Sequence, residues 1–315
     1  KSGGPLLRWI RYAKALRQHA IDADAIIAFS SVSAGVPVWM AKNDTFPRTL
    51  LRLGGDFFWE RYTDRGGKKN LHEYYKRPPA LHWYTSIPMQ RILRVFDHIV
   101  FSTRLQEEVY EKHYKNLPPH SVIENAIPEA SPKLHEKHEP FRLLFIGRFV
   151  GFKNLPTLIR AVGAMRAAPL QRNVTLTFVG DGPMKVCLEA LVRSLKLQGW
   201  VRFLPPTHGD EKKRYFADYD LLVLPSLTEL SPNVALEARA HGLPVLLSSE
   251  TGLSERLREG MVVRPLRTEE QIGQAILEAM TNYANIAQNA ANSSQSRSWG
   301  DVTEEFLKLT RAALE

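Results

Sequence analysis

Two glutamates eight residues apart, Glu229 and Glu237, flank Ser231 and Pro232 in the run DLLVLPSLTELSPNVALEARAHGLPVLLSSETGLSE, residues 220–255. Carboxylates accept hydrogen bonds from hydroxyls. Serine is a good N-cap and proline a good first helical residue, so the spacing predicts a helix opening at Ser231-Pro232. The unpaired N–H groups of such a helix start favour an anion such as a phosphate. A ligand carrying a diphosphate between two polyhydroxy groups would satisfy all of these parts, and a nucleotide sugar has that form. The same spacing also fits a surface loop followed by a helix with Glu237 on its solvated face.

The elements that must position these residues are short. Asp220 to Leu224 is an apolar run long enough for a buried strand, stopped by Pro225 and Ser226. Gly242 closes the helix, and Pro244 to Ser248 reads as the next buried strand. Strand, loop, helix and strand make a βαβ unit, with the Glu229 loop at the carboxyl end of its strand, where open parallel sheets bind ligands.

The order Pro225-Ser226, Glu229, Leu236-Glu237-Ala238, Gly242, Pro244-Val245, Gly252 and Glu255 resembles the signature of glycosyltransferase family 4. The resemblance implies the GT-B fold: α/β, with two Rossmann-like parallel-sheet domains facing a cleft. It also implies a retaining transferase that takes a nucleotide-diphosphate sugar and needs no essential metal. Under it, Glu229 faces the transferred sugar and Glu237 binds the donor ribose.

Upstream, Gly147-Arg148 and Lys153-Asn154 match the family's G-R-x4-K-N motif between a strand at Arg142–Ile146 and a helix starting near Leu155. Breaking a sugar–diphosphate bond leaves negative charge on the diphosphate, and two cations beside a helix start stabilise it as it develops. Arginine can fork onto two oxygens, whereas lysine acts as a point charge. Gly180 and Gly182, in the family's V-G-D-G-P run, are expected to let backbone approach the donor. Leu204 is expected near the base, and Ser231, Pro232, Asn233 and Val234 around the diphosphate.

In the first half, strands at Ala25–Phe29, Thr49–Leu53, His98–Ser102 and Val122–Ile123 alternate with helices, which predicts a parallel sheet. Against the family, this domain is expected to lack its opening two βα units, on the order of 60 residues. The chain begins at Lys1 rather than Met, which fits an incomplete copy. Ser2, Gly3 and Gly4 imitate the family's first glycine loop, but no strand precedes them, so they are not assigned that role.

Gly54-Gly55-Asp56 and Trp59-Glu60 resemble the G-D-x-x-W-E run of some bacterial members. Asp56, Trp59 and Glu60 are therefore expected on the acceptor side, with Asp56 at the reaction; the other reading of Asp56 is a turn former after two glycines. Residues 57–84 mix aromatics (Trp83 among them) with Arg and Lys in no clean period. They read as a long loop that binds the acceptor and contacts a membrane surface, or that packs its own aromatics.

The domains are thus expected at 1–133 and 141–298, with a last helix at 299–315 returning to the first domain. Ala130–Pro140 is the linker, where His135 and His138 read as solvated. Lys212, Lys213 and Arg214 read as a solvated helix face. The D-x-D pairs at Asp218/Asp220 and Asp22/Asp24 each precede a strand at its amino end, away from the ligand edge, and are set aside as metal sites.

Composition narrows the remaining classes. The 315 residues are 44% hydrophobic, enough for two cored domains. One cysteine, Cys187, excludes an internal disulfide and a cysteine-based metal site. No 18-residue apolar run and no signal-peptide pattern occur, which points to the cytoplasm, with peripheral membrane contact allowed. The net charge of +9 comes mostly from residues 1–140, with 21 Lys and Arg against 15 Asp and Glu. No nucleic-acid-binding motif accompanies it, so no nucleic acid partner is expected. The expected partners are a nucleotide-sugar donor and a carbohydrate or lipid-linked acceptor. The alternatives are a catalytically inactive nucleotide- or glycan-binding protein, a sugar-nucleotide epimerase, and an enzyme glycosylating nucleic acid.

Overall fold

The computed structural model describes residues 4–80, 83–167, 173–293 and 297–311, apart from the side chain of Trp83. Lys1, Ser2, Gly3 and the expected helix residues beyond Arg311 lie outside the described residues, as does part of the polar stretch 292–298. The chain divides into two compact units: Lys1–Arg61 with Leu71–Asn125 and Gly300–Glu315, and Tyr62–Asn70 with Ala126–Trp299. The expected first domain ran unbroken from 1 to 133; in the structure, residues 62–70 and 126–133 cluster with the second unit.

The first unit opens with α1 (Pro5–His19), β1 (Ala25–Phe29), α2 (Gly35–Ala41) and β2 (Arg48–Leu53). It continues with α3 (Phe57–Asp64), whose last residues fall in the second unit, then α4 (Leu71–Lys76), α5 (Trp83–Leu93), β3 (His98–Phe101), α6 (Arg104–His113) and β4 (His120–Val122). The four strands form one parallel sheet in the order β1-β2-β3-β4. Every residue of β3 is buried, as is most of β2, with Thr49, Arg52 and His98 buried among the apolar residues. Thr103 caps α6 by accepting from the Gln106 N–H, which fixes where that helix starts.

Residues 57–84 are not a long loop. They hold α3, α4 and the start of α5. Trp59 and Thr63 in α3, and Leu71, Tyr74 and Tyr75 in α4, are buried at helical spacing while Phe57 and Tyr84 are exposed; helices of 8 and 6 residues are too short for that stripe to stand out among the exposed aromatics.

The second unit runs β5 (Phe141–Ile146), α7 (Leu155–Ala167), β6 (Val174–Val179), α8 (Lys185–Ser194), β7 (Val201–Leu204) and α9 (Gly209–Asp218). Then come β8 (Leu221–Leu224), α10 (Asn233–Ala240), β9 (Val245–Ser248), β10 (Val262–Arg264), α11 (Glu269–Thr281) and α12 (Tyr283–Ala291). The final helix, α13 (Trp299–Arg311), lies in the first unit from Gly300 onward, where Phe306 packs under the Arg52 guanidinium. Sequence reading missed β10, whose three residues are at most half-buried.

The six strands of the second unit are all parallel, in the order β10-β9-β8-β5-β6-β7. The chain builds outward from β5 through β6 to β7, then returns to β5's other side for β8. That reversal creates a switch point between β5 and β8, where doubly wound sheets leave a crevice beyond their carboxyl ends. The core beneath it is aromatic: Phe178 stacks on Phe203 at 5.1 Å, and Phe145 and Phe149 pack against Phe178. α11 is held by a complete capping box between Thr268 and Gln271.

Ala130–Pro140 has no regular structure but is packed rather than loose. The Lys133 N–H donates to the His241 carbonyl, and the His138 backbone N–H donates to Asp220. Asp220, fully buried at the amino edge of β8, also accepts from the Arg142 N–H and contacts His138 Nδ1 at 2.8 Å. His138 is therefore tied to a buried carboxylate while its own side chain stays 36% exposed. Burial lowers the pKa of His135, against hydrogen bonds with the His241 and Tyr219 backbone.

Candidate active site at the switch point

The loop after β5 is anchored by its own apolar residues. Phe149 is fully buried, and Val150 and Phe152 nearly so, while Arg148 between β5 and these anchors is exposed. A single 3-10 turn, Gly151–Lys153, follows, and Asn154 adopts a left-handed conformation before α7. Asn154 is buried, and its side chain binds the Leu266 and Arg267 carbonyls and the Thr157 hydroxyl. Expected at the donor, its side chain holds the loop to the β10–α11 connection.

Gly180 and Gly182, also expected at the donor, serve the same loop from behind. A Cβ on Gly180 would lie 2.0 Å from the Gly147 carbonyl oxygen, and one on Gly182 would lie 2.5 Å from that of Phe149. Their φ values of +148° and +158° also suit glycine. The close approach they permit is between two backbones: Gly147 N–H donates to Val179, Phe149 N–H to Asp181, and Met184 N–H to Phe149. Leu204, half-buried at the end of β7, accepts from Gly180 N–H.

Across the switch point, the loop after β8 carries Glu229, which is 6% exposed. Its backbone is pinned to the loop after β9: Glu229 N–H donates to Glu250, and Gly252 N–H donates to the Glu229 carbonyl. The two loops flanking the crevice are tied together by the Leu227 N–H, which donates to the Phe152 carbonyl at 2.8 Å. Lys153 Nζ lies 2.9 and 2.7 Å from the two Glu229 carboxylate oxygens, and Ser226 Oγ donates to the same carboxylate. Lys153 and Glu229, expected from sequence on the diphosphate and on the sugar respectively, thus meet directly as a nearly dry ion pair.

The helix after Glu229 starts one residue later than the sequence suggested. Pro232 is the N-cap residue, with extended backbone, and α10 begins at Asn233. Ser231 makes no cap; its hydroxyl is buried with no hydrogen-bond partner. The first N–H groups of α10, from Asn233 and Val234, have no intrahelical acceptor by construction. Glu237, in the second turn, forms an ion pair with Lys212 of α9, so Lys212 is not part of a solvated face. Lys213 pairs with Asp210 on its own helix.

Two contributors went unnoticed in the sequence, and a third was read as solvated. Asp64 accepts from the Gly151 N–H at 3.0 Å, bracing the turn that carries Lys153. Arg239, buried in α10, binds the Arg256 and Leu257 carbonyls and Glu259, fixing the chain after Gly252. Lys212 is the third. A basic residue inside the helix of a βαβ unit is the only trace Arg239 leaves in sequence.

In the first unit, Asp56 is 1% exposed. Its carboxylate accepts from the Trp59 N–H at 2.8 Å, the Tyr75 hydroxyl at 2.5 Å and the Tyr110 hydroxyl at 2.9 Å. Burial, then the Asp56 charge, drives the Tyr75 and Tyr110 pKa values well above 10, so both stay protonated and donate. Asp56 is therefore a buried cap on α3 and not an open carboxylate, in line with the turn-former reading. Trp59 is buried as well. Glu60 folds back over Gly55, where a Cβ would meet its Oε1 at 2.4 Å.

Comparison with known proteins agrees with this architecture. Residues 140–282 match the family described as "Glycosyl transferases group 1". An uncharacterized glycosyltransferase of Methanocaldococcus jannaschii is 32% identical over 181 residues, 55% of this chain and 45% of that protein. The chain therefore spans less than half of that relative's length. Sucrose-phosphate synthase from Thermosynechococcus elongatus superposes with a TM-score of 0.78 at 17% identity, over 97% of this chain and 78% of that one. Anabaena HepE in complex with UDP-glucose gives 0.72 at 16%, over 95% and 82%. The fold is that of the GT-B glycosyltransferases. The matched family segment covers β5 to α11, and with them every donor-side residue named above.

Proposed function

We propose that this protein transfers a sugar from a nucleotide-diphosphate sugar to an acceptor hydroxyl, with retention at the anomeric carbon. The observation that carries the reading is the Lys153–Glu229 pair at the switch point, directly ahead of the start of α10. The donor diphosphate takes the crevice between the loops after β5 and β8. Arg148, Lys153 and the α10 N–H groups meet its charge, which rises as the sugar–oxygen bond breaks. Glu229 hydrogen-bonds the sugar hydroxyls while keeping Lys153 in place. Glu237 takes the ribose hydroxyls and shares its carboxylate with Lys212. The buried Ser231 hydroxyl is a further donor for a phosphate oxygen.

In this mechanism the acceptor hydroxyl attacks the anomeric carbon on the face the diphosphate is leaving. Its proton passes to a departing diphosphate oxygen, and the electron pair of the broken anomeric carbon–oxygen bond stays on the nucleoside diphosphate. The protein then supplies cations and hydrogen bonds and no general base. With cations already meeting the developing charge, the reaction proceeds without a metal ion.

HepE, the structural neighbour with UDP-glucose bound, makes uridine donors the first to test. A thermal-shift screen of nucleotide sugars, with chelator present, is expected to find one that stabilises the protein. That gain should disappear in Arg148→Ala and Lys153→Ala. A product whose anomeric configuration is inverted would refute the mechanism, and stabilisation unaffected by either substitution would refute the site.

A further inference from the structure

The first unit holds a cavity of about 750 Å³ that the donor chemistry does not use. It lies at the carboxyl edge of the sheet, the edge where parallel sheets bind ligands. Val32 and Ser33 reach it from the loop after β1, and Phe57 and Phe58 from the segment after β2; Trp9, Val36 and Ile92 line it from α1, α2 and α5. The lining is aromatic and aliphatic apart from Ser33 and three arginines, Arg8, Arg61 and Arg91.

Those arginines are the informative part. All three are exposed, and among the described residues none forms an ion pair. Arg61 lies over the Phe57 ring at 5.6 Å, which places its charge against the apolar wall. The Trp9 indole N–H is buried with no partner. No acidic residue lines the cavity. The volume falls in the ordinary range for a small-molecule site, about 300–1,000 Å³. An apolar interior with guanidinium groups and no carboxylate suits an anionic amphiphile, and of the common head groups a phosphate offers three guanidinium groups the most acceptor oxygens.

We infer that this cavity binds a phosphate-bearing amphiphile, its chain in the apolar interior and its phosphate on Arg8, Arg61 and Arg91. Its role as acceptor, or as the carrier of the acceptor sugar, rests on the transferase reading above; the binding itself does not. Arginine suits the head group because it can bond two phosphate oxygens at once and is weakly hydrated.

Equilibrium binding to the full chain tests this, with farnesyl phosphate as the probe, kept below its aggregation concentration, against farnesol and inorganic phosphate. Farnesyl phosphate should bind saturably, farnesol about tenfold more weakly, and inorganic phosphate not measurably. Arg61→Ala with Arg91→Ala should bring farnesyl phosphate down to the farnesol level. Val32→Trp, which fills the cavity from a surface loop, should abolish binding of both while leaving nucleotide-sugar stabilisation unchanged. Equal affinity for the phosphate and the alcohol, or no binding, overturns the inference. So does adsorption to anionic vesicles that Val32→Trp leaves intact, which would make this face a membrane surface. Self-association lost in Trp39→Asp would instead assign the face to a second copy. Saturable binding without sugar transfer from any donor would leave this inference standing and refute the transferase reading.

Discussion

Deleting the Lys153 ammonium tests the charge arrangement at the switch point most directly. The Lys153 and Glu229 side chains are only 12% and 7% exposed, so their pairing is close to dry. Lys153→Met would leave the Glu229 carboxylate with Ser226 as its remaining side-chain donor. Removing one partner of a buried pair costs about 3–5 kcal/mol, and the Ser226 hydrogen bond argues for the lower end, about 3. Glu229→Gln strands the ammonium against an amide oxygen, about 2 kcal/mol by the same reasoning. The double variant strands no charge and should lose only about 2 kcal/mol, which makes the coupling about 3 kcal/mol. For a unit of roughly 180 residues, a 3 kcal/mol loss lowers Tm by about 6–12 °C. Urea and thermal denaturation of the four proteins measure the cycle, and peptide-resolved hydrogen exchange should place the loss at residues 147–154 and 225–232. Single effects that simply add, within about 0.5 kcal/mol, would show that the pair is solvated and would remove it as the organising contact.

Three further outcomes are expected. In the first unit, burial raises the Asp97 pKa, but hydrogen bonds from Lys42 and Thr49 outweigh it and hold the carboxyl below its usual 3.8. A depressed carboxyl contributes stability above its unfolded pKa and loses it as pH falls through the folded value. Lys42→Met should therefore destabilise at neutral pH, with the gap to wild type closing below about pH 4 in pH-dependent urea titrations. Asp56→Asn replaces one carboxylate oxygen with an NH2 group, so either the Trp59 N–H or both tyrosine hydroxyls, which share one Asp56 oxygen, lose their acceptor; this should cost about 1–3 kcal/mol in urea denaturation, and a large change in acceptor KM at unchanged stability would return Asp56 to the acceptor side. Gly180→Ala must push back the Gly147 carbonyl and adopt a strained backbone, on the order of 3 kcal/mol, and the shift of the Arg148 turn should also weaken nucleotide-sugar stabilisation in thermal-shift assays.

How much of this was legible depends on whether the signal is local. β5, β6, β8 and β9 are buried runs of four to six residues bounded by Gly or Pro, so the sequence reading placed each to within about a residue. The helix after Glu229 came out one residue late because Pro232 takes extended backbone and becomes the cap, leaving the Ser231 hydroxyl unused. β10 was invisible because three half-buried residues carry no period. Residues 57–84 were misread for a related reason: α3 and α4 are only 8 and 6 residues long, and two turns are too few for the period of a buried face to stand out.

Within the site, side chains that face each other across the crevice were readable, and those that hold the crevice open were not. Lys153 and Glu229 stand in motifs with fixed spacing, which marked both as site residues, while their direct pairing emerged only in the structure. Gly180, Gly182 and Asn154 stand in motifs of the same quality, yet their contacts are with the Gly147, Phe149 and Leu266 backbone. A motif records that a residue type is required at a position and is silent about whether ligand or protein makes the demand. Sterics decide it here: an oxygen 2.0 Å from where a Cβ would sit requires glycine before any donor arrives. The Lys153 turn is thereby clamped from three sides, by the Gly180–Gly182 turn, by Asn154 on the β10–α11 connection, and by Asp64 on the Gly151 N–H. A cation held in this way would keep its place while charge built up on the diphosphate of the proposed donor, which is the condition electrostatic stabilisation of a leaving group requires.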